Sequence, residues 1–190
     1  MMQEKRSNLH KNELYVSVDI EAAGPIPAEY SMLSIGACDV ESPDRSFYIE
    51  LKPINDHFIP EALAVSGLSL DHLKRFGTEP AEGMRRFSAW IEDIATGLLP
   101  VFVGFNAPFD WQFINWYFHM FLGKNPFGIN AIDIKAYYMG FSRSAWVDTS
   151  SSRLPTWLQP VGRKKHDALD DALAQAEIFA KLLSARRANI

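Results

Sequence analysis

Acidic side chains occur in three separate segments of this chain, at positions where the surrounding pattern is apolar. Residues 16–21 read Val-Ser-Val-Asp-Ile-Glu, residues 104–111 read Gly-Phe-Asn-Ala-Pro-Phe-Asp-Trp, and residues 166–172 read His-Asp-Ala-Leu-Asp-Asp-Ala. Carboxylates that converge inside a folded protein repel one another unless a cation lies among them. The three segments therefore predict a site for divalent cations, and such sites serve phosphate chemistry.

The first segment places two carboxylates on one face of a strand. Side chains of a strand alternate between its faces, so Asp19 and Glu21 point one way while Val18 and Ile20 point the other. Two like charges at this spacing repel unless something positive lies between them. A strand end that frays into solvent would explain the same pair, so this segment alone leaves both interpretations open.

The middle segment carries an acid on the apolar face of a predicted helix, residues 107–121. Asp110 shares its stripe with Phe113 and Ile114. A buried carboxylate is costly unless it is paired or bound to a metal, which makes Asp110 a stronger candidate than the acids of the strand. Asn106 precedes the helix and is interpreted mainly as its cap.

The third segment begins the closing helix, predicted over residues 167–186, and offers three aspartates. Helical phase turns Asp170 toward the solvent side and Asp171 toward a more apolar flank, so Asp171 is the predicted functional acid. Asp167 is interpreted as a helix-start residue, which is favourable at the positive end of the helix dipole. His166 can converge with Asp171 if it leans back over the first turn; a polar loop residue is the alternative.

Bulk properties describe one globular domain, 1–190, with 47% hydrophobic and 22% charged residues. Its core is expected over about 14–183, and residues 1–12 are expected to be flexible. The net charge of −4 argues against broad binding of duplex nucleic acid, but not against a local basic patch. The single cysteine, Cys38, excludes an internal disulfide. No stretch is long and apolar enough for a signal peptide or a membrane span, so a cytoplasmic protein without membrane contact is expected.

The predicted elements run strands first and then helices alternating with strands, which indicates an α/β fold with a mixed sheet flanked by helices. A loop with one helical turn is predicted over 141–165. Strands are predicted over 14–20, 31–40, 45–52, 101–104 and 131–134, and helices over 60–76 in short pieces, 80–96, 107–121, 134–140 and 167–186.

Taken together, the three segments resemble the motifs of the DEDDh 3′–5′ exonucleases, the DnaQ-like or ribonuclease T-like group. Residues 19–37 resemble in particular the ribonuclease T-like 3′ exoribonuclease subgroup. The resemblance implies a ribonuclease H-like fold, with a five-stranded mixed sheet and helices on both sides. The matching residues, in family order, are Asp19-x-Glu21, Asp110 in Gly-Phe-Asn-x-x-Phe-Asp, and His166-x-x-x-x-Asp171-Ala.

The resemblance implies a metal-dependent exonuclease that removes nucleotides from the 3′ end of single-stranded nucleic acid, with RNA slightly preferred. It implies that Asp19, Glu21, Asp110 and Asp171 hold two divalent ions. His166 would be the general base that takes a proton from the attacking water. Oxygen-only ligands favour Mg²⁺ or Mn²⁺. The alternatives are a DNA-directed 3′–5′ exonuclease of repair or proofreading, a catalytically idle nucleic-acid binding module, and a hydrolase of small nucleotides.

Substrate contacts are sought among aromatic, apolar and basic residues near the motifs, because single strands are held by stacking and by a positive groove. Core packing is the alternative for the apolar candidates, and an ordinary solvated charge run for the basic ones. The resemblance also implies a possible homodimer, in which Arg85-Arg86 or Arg186-Arg187 would be supplied to the partner's site. Ordinary surface solvation is the alternative for these arginines. The candidate substrate-binding residues are Ala22, Met32, Leu33, Asn106, Trp111, Arg163, Lys164 and Lys165, with Phe109 and Trp146 as further stacking candidates.

Overall fold

A computed structural model describes residues 12–160 and 167–188. Its centre is a five-stranded sheet in the order β3-β2-β1-β4-β5. Strand β2 runs antiparallel to both β1 and β3, while β4 lies parallel to both β1 and β5. The predicted α/β fold with a five-stranded mixed sheet is thereby confirmed. The strands are β1 (Glu13–Ala22), β2 (Met32–Asp39), β3 (Ser46–Glu50), β4 (Leu99–Gly104) and β5 (Ala131–Asp133).

Six helices and three short 3₁₀ turns complete the described part of the chain. Proline occupies the first turn of α1, α3 and α4, where its missing N–H costs nothing. The region predicted as a loop with a single helical turn contains three turns, Trp146–Thr149, Ser151–Arg153 and Thr156–Leu158. The helices are α1 (Pro60–Ser66), α2 (Leu70–Phe76), α3 (Pro80–Ala95), α4 (Pro108–Leu122), α5 (Ile134–Ser142) and α6 (Ala168–Ala188).

Two apolar clusters bury the two faces of the sheet, as a fold with helices on both sides requires. Side chains of α3 and α4 form one cluster with the sheet, centred on residues such as Phe87 and Phe113. Side chains of α6 form the other, which includes Phe179, Leu182 and Cys38. Cys38 is fully buried in this second cluster. Within the described residues, no helix is long and apolar enough to cross a membrane.

The first turn of α6 packs directly on the backbone of β2 at Gly36. A Cβ atom added to Gly36 would lie 2.1 Å from the carbonyl carbon of Ala168, so no other residue fits at this position. Gly36 is also the β2 partner of Asp19 in the β1–β2 ladder. The missing side chain therefore sets how closely the turn that carries Asp171 approaches the strand that carries Asp19.

Candidate active site

Asp19 and Glu21 lie near the end of β1, on the same face of the strand, as the alternation predicts. Both side chains are half-buried, while Val18 and Ile20 between them are buried in the core. The β1–β2 register shifts between Glu21 and Ala22, which marks the end of regular pairing. The two acids thus sit where β1 leaves the sheet, with the first turn of α6 packed nearby at Gly36.

Four acids from three elements meet at this end of β1. Asp19, Glu21 and Asp171 each offer a carboxylate oxygen, and these three oxygens lie within 4.8 Å of one another. Asp110, in the first turn of α4, approaches from the other side of the sheet, and its Oδ1 accepts a hydrogen bond from the Ile20 N–H at 3.1 Å. The structure therefore brings together the four acids that lay in separate segments of the sequence.

Burial and mutual repulsion disfavour the ionised forms of Asp19, Glu21 and Asp110. Burial, followed by the carboxylates of Asp110 and Asp171, raises the pKa of Asp19 well above its usual value. Burial and then Asp171 raise the pKa of Glu21 to about 7. Burial also raises the pKa of Asp110 to about 8, although the Ile20 N–H partly offsets this effect. Such a group of acids is stabilised when a cation enters it.

The donor set fits a hard divalent cation. In the salt bridges of residues 12–160 and 167–188, no lysine or arginine pairs with Asp19, Glu21 or Asp110. The converging donors are carboxylate oxygens, the ligands that Mg²⁺ and Mn²⁺ prefer, with no thiolate among them. The family likeness stated from the sequence and this geometry therefore agree on a divalent-cation site.

Gln175 is a site residue that the sequence analysis missed. Its side chain is buried, its Nε2 donates to Asp19 Oδ1, and its Oε1 accepts the Phe105 N–H at 2.8 Å. The amide thus joins α6 to β1 and to the end of β4, and it orients one of the acids. The available signal was a glutamine beside Ala176 on the stripe of α6 that faces the core, where an unexplained polar residue requires a buried partner.

The exonuclease family (RNase_T) matches residues 16–179 of this sequence. The chain belongs to the exonuclease family. Over 168 residues it is 51% identical to the 3′-5′ DNA exonuclease Cap18 of Escherichia coli, an alignment that covers 88% of this chain and 90% of that protein. The predicted membership of the DEDDh 3′–5′ exonucleases is confirmed, and the protein is a 3′–5′ exonuclease.

Solved structures confirm the ribonuclease H-like fold of this exonuclease. The nuclease domain of 3′hExo, a DEDDh family member solved with rAMP bound, superimposes with a TM-score of 0.76 at 16% identity over 92% of this chain and 94% of that chain. Exonuclease I of E. coli, solved with a dT13 oligonucleotide, gives a TM-score of 0.71 at 17% identity. That match covers 93% of this chain but only 42% of exonuclease I, a much larger protein.

The exonuclease does not use Asn106 to cap α4, contrary to the prediction. Asn106 has a φ of +69°, and the N-cap of the helix is Ala107, with no side-chain capping bond. The side chain turns instead to Lys135, whose Nζ donates to Asn106 Oδ1 at 3.5 Å. The Ala107 N–H donates to Asp133 Oδ2 at 2.7 Å, while Asp133 Oδ1 accepts the Ala136 N–H and caps α5.

The apolar substrate candidates are core residues in the exonuclease structure. Met32 and Leu33 are fully buried, and Ala22 is buried as well. The Met32 N–H donates to the Tyr117 hydroxyl at 2.8 Å, which fixes the start of β2 against α4. Stacking on a base or wedging between bases needs an exposed surface, so the expectation for Met32 and Leu33 is corrected to core packing.

Trp111, which the sequence left undecided, is half-buried and packs edge-on against Phe102 with ring centroids 5.2 Å apart. Phe109 likewise packs on Phe113, with ring centroids 5.6 Å apart. Both rings are attached to the core cluster on the α4 side of the sheet. The buried parts of the Trp111 and Phe109 side chains therefore pack against the core, as the alternative interpretation proposed.

The aspartates at the start of α6 have the positions that the sequence predicted for them. Asp167 Oδ1 accepts the N–H groups of Leu169 and Asp170, which confirms Asp167 as the helix-start residue. Asp171, and not Asp170, belongs to the group of carboxylates around Asp19. Helical phase alone was therefore sufficient to separate the two adjacent aspartates.

For several predicted site residues, the structure gives no position at the candidate active site. His166, Arg163, Lys164 and Lys165 lie outside the described residues, as does the side chain of Arg187. Arg85 and Arg86, candidates for donation to a partner subunit, both bind Glu82 of their own helix. For these residues the sequence predictions remain predictions.

Proposed function

We propose that this exonuclease removes nucleotides from the 3′ end of single-stranded DNA by hydrolysing the terminal phosphodiester bond. The observation that carries the proposal is the approach of Asp19, Glu21 and Asp171 to within 4.8 Å, with the buried Asp110 beside them. The relative in E. coli with 51% identity is named a DNA exonuclease, and this supports DNA as the substrate. A terminal nucleotide must be unpaired to enter such a site, which supports a single-stranded end.

In this proposal Asp19, Glu21, Asp110 and Asp171 hold two divalent ions, Mg²⁺ or Mn²⁺. When bound, such ions activate the attacking water and stabilise charge on the phosphate and the leaving oxygen. The raised pKa values of Glu21, about 7, and Asp110, about 8, mean that ion binding displaces protons from these groups. Gln175 orients Asp19 through its Nε2, so it serves as a positioning residue.

His166 would act as the general base that accepts a proton from the attacking water. The proposal is supported by the position of His166 five residues before Asp171 in a motif that resembles the DEDDh exonucleases. Imidazole is suited to this role because it titrates near neutral pH. Replacement His166→Ala should lower kcat by about 10²- to 10⁴-fold while the melting temperature stays the same. Substantial activity in a well-folded His166→Ala protein would remove the histidine from this role.

The basic run Arg163-Lys164-Lys165 would contact the phosphates of the strand. Its support is its place in the sequence, directly before His166. If the run binds phosphates, replacing all three residues with glutamine should raise KM and flatten the dependence of KM on salt. An unchanged salt dependence would identify the run as an ordinary solvated surface.

RNA is the second candidate substrate, favoured by the resemblance of residues 19–37 to the ribonuclease T-like 3′ exoribonucleases. Digestion with Mg²⁺ distinguishes the candidates when single-stranded DNA, single-stranded RNA and duplexes with overhangs are each labelled at the 5′ or the 3′ end. We expect a descending ladder from 5′-labelled DNA, immediate release of the label from 3′-labelled DNA, and slower digestion of RNA. Faster digestion of RNA would replace DNA as the proposed substrate.

The same digestion tests the polarity and the assignment of the site. An Asp171→Asn protein serves as the inactive control, so any ladder it produces reveals a contaminating nuclease. Loss of the label from the 5′ end before the 3′ end would contradict 3′-to-5′ polarity. The expected homodimer is tested separately by sedimentation velocity, where a single monomeric species at micromolar concentration would exclude it.

A further inference from the structure

Lys135, at the start of α5, is a lysine whose ammonium group is not paired with a carboxylate of the described part of the chain. Within residues 12–160 and 167–188, no aspartate or glutamate forms a salt bridge with Lys135. Its Nζ lies 4.3 Å from the centroid of the Trp146 ring and donates to Asn106 Oδ1 at 3.5 Å. These three residues, which we call the strand platform, combine a positive charge, an aromatic ring and an amide.

The strand platform lies at the same edge of the sheet as the acids. Asn106 follows Phe105, whose N–H is bound by Gln175, and the same Gln175 side chain binds Asp19. Asp110 lies four residues beyond Asn106, in the first turn of α4. Asn106 is therefore connected to Asp19 through the neighbouring Phe105 and the Gln175 amide, and to Asp110 through the first turn of α4.

Trp146 is exposed in a way that core packing does not explain. Its side chain is 52% exposed, whereas Trp90, Trp111 and Trp116 all pack against the core. The neighbouring Val147 is 59% exposed. An indole ring held by a cation and open to solvent leaves a flat apolar surface free beside a positive charge. That combination is how proteins hold single-stranded nucleic acid: a base stacks on the ring and a cation meets the phosphate.

We propose that the strand platform binds a nucleotide on the 5′ side of the scissile bond, with its base on Trp146 and its phosphate at Lys135. Asn106 orients the lysine because its Oδ1 accepts a hydrogen bond from Lys135 Nζ. The inference rests on the proposed function, since it assumes a polymeric single strand in the site. Its alternative is purely structural: the pair of Lys135 and Trp146 would only fasten the turn Trp146–Thr149 to α5.

Two substrates distinguish nucleotide binding at the strand platform from a purely structural role of the Lys135–Trp146 pair. A single-stranded oligonucleotide of about ten residues reaches beyond the active site, within the range that single-strand binding folds cover. The p-nitrophenyl ester of thymidine 5′-monophosphate carries one nucleotide and one hydrolysable phosphodiester. A p-nitrophenyl group replaces the strand on its 5′ side, so the ester offers the strand platform neither a second base nor a second phosphate. Both substrates are measured with Mg²⁺ for wild-type protein and for Trp146→Ala, Trp146→Phe, Lys135→Gln and Lys135→Arg.

We expect Trp146→Ala to raise KM for the oligonucleotide about tenfold and to leave KM and kcat for the ester unchanged, because a stacked base is lost. Trp146→Phe should recover most of the affinity. Lys135→Gln should raise KM for the oligonucleotide and lower the slope of log KM against log salt by about one, and Lys135→Arg should restore both. The matched controls Trp157→Ala and Lys124→Gln remove an exposed tryptophan and a lysine elsewhere, and should change neither substrate.

An unchanged KM for the oligonucleotide in both Trp146→Ala and Lys135→Gln would overturn the strand platform. An equal loss of activity on the oligonucleotide and on the ester would also overturn the proposal. Such a result would show that the replaced residues support the structure of the active site and do not bind the strand. If Trp146→Ala fails to fold, the salt slope of Lys135→Gln and the KM of Trp146→Phe still decide the question. Failure of the proposed function looks different: wild-type protein would then hydrolyse neither substrate.

Discussion

The same sequence pattern, Asp-x-Glu, occurs at the end of β1 and at the end of β2, and it has opposite meanings at the two places. Asp39-Val-Glu ends β2, and Asp39 is only 1% exposed, yet it accepts the Glu41 N–H at 2.9 Å and pairs with Arg45. Asp19-Ile-Glu ends β1, and Asp19 faces other carboxylates, with an amide of Gln175 as its side-chain partner. One acid is neutralised within its own hairpin, while the other is placed among like charges.

The difference shows that burial of an acid does not by itself identify a functional site. Both segments follow apolar strands, and the fully buried acid is the one with a structural partner. What distinguishes Asp19 is the set of charges around it, since Asp110, Asp171 and Glu21 all raise its pKa. A fold tolerates such repulsion where a ligand relieves it, so a cluster of like charges indicates function and the paired acid indicates stability.

The largest effect is expected when the charge of Asp19, the acid of β1 in this comparison, is removed. Asp19→Asn should lower kcat/KM on the order of a thousandfold, because it removes a charge that serves the reaction. Its melting temperature without divalent ions should be equal to or above wild type, because repulsion among the acids is reduced. Activity is measured on 5′-labelled single-stranded DNA. Asp170→Asn, a change beside Asp171 on the solvent side, is the control and should stay fully active. Activity of Asp19→Asn within tenfold of wild type would contradict the assignment.

A smaller loss should follow when only the orientation of Asp19 is changed. Gln175→Leu keeps the size of the side chain but removes the amide that binds Asp19 and the Phe105 N–H. We expect activity to fall by about ten- to a hundredfold and the Mg²⁺ concentration for half-maximal activity to rise, as for other residues that orient metal ligands. A fall in kcat with an unchanged Mg²⁺ requirement would show that Gln175 does not act through the cation site.

Replacement of Asp39, the acid of β2, should lower the stability of the protein and leave its catalytic activity unchanged. Asp39→Asn leaves Arg45 without its carboxylate, and we expect a loss of about 2 kcal/mol in the free energy of unfolding, moderated by the partial exposure of Arg45. Activity per folded molecule should be unchanged at low temperature. Denaturant unfolding gives the first quantity and DNA digestion the second. Glu41→Gln is the matched control, since Asp39 binds the backbone N–H of that residue, and it should be neutral.

The smallest expected effect is a pH dependence that comes from the acids of the candidate active site and not from Asp39. The pKa of Glu21 is raised from 4.5 to about 7 and that of Asp110 from 3.8 to about 8. The folded protein therefore retains protons that the unfolded chain has released, so stability without divalent ions falls as pH rises from about 4.5 toward 8.

Because Mg²⁺ binds the deprotonated acids, it should raise the melting temperature by about 3 °C more at pH 8.5 than at pH 5.5. The measurement is thermal unfolding with and without Mg²⁺. Asp110→Asn should reduce the difference between the two pH values, whereas Asp39→Asn should preserve it. An equal Mg²⁺ effect at both pH values would contradict the assignment of the raised pKa values to the cation site.

Much of the fold could be predicted because its signals are local. Runs of β-branched and apolar residues located the strands, and proline and glycine marked where helices begin and end, as at Pro80 and Gly67. The phase of α6 separated Asp171 from Asp170 because both lie on one regular helix, whose faces follow from spacing alone. Such reasoning fails where the chain is irregular. Asn106 was misread as a cap because its left-handed φ, which turns the side chain toward Lys135, has no signature in the residues around it.

The sequence by itself determined the family, the five-stranded α/β fold and the four acids of the candidate site, because motif order and hydrophobic period are written in neighbouring residues. Only the tertiary structure decided which partners surround those acids. Gln175 meets Asp19 across 156 residues of chain, and Gly36 admits the first turn of α6 because nothing projects from it. Such contacts depend on how closely helix and sheet pack, a property of the assembled layers that no local pattern encodes.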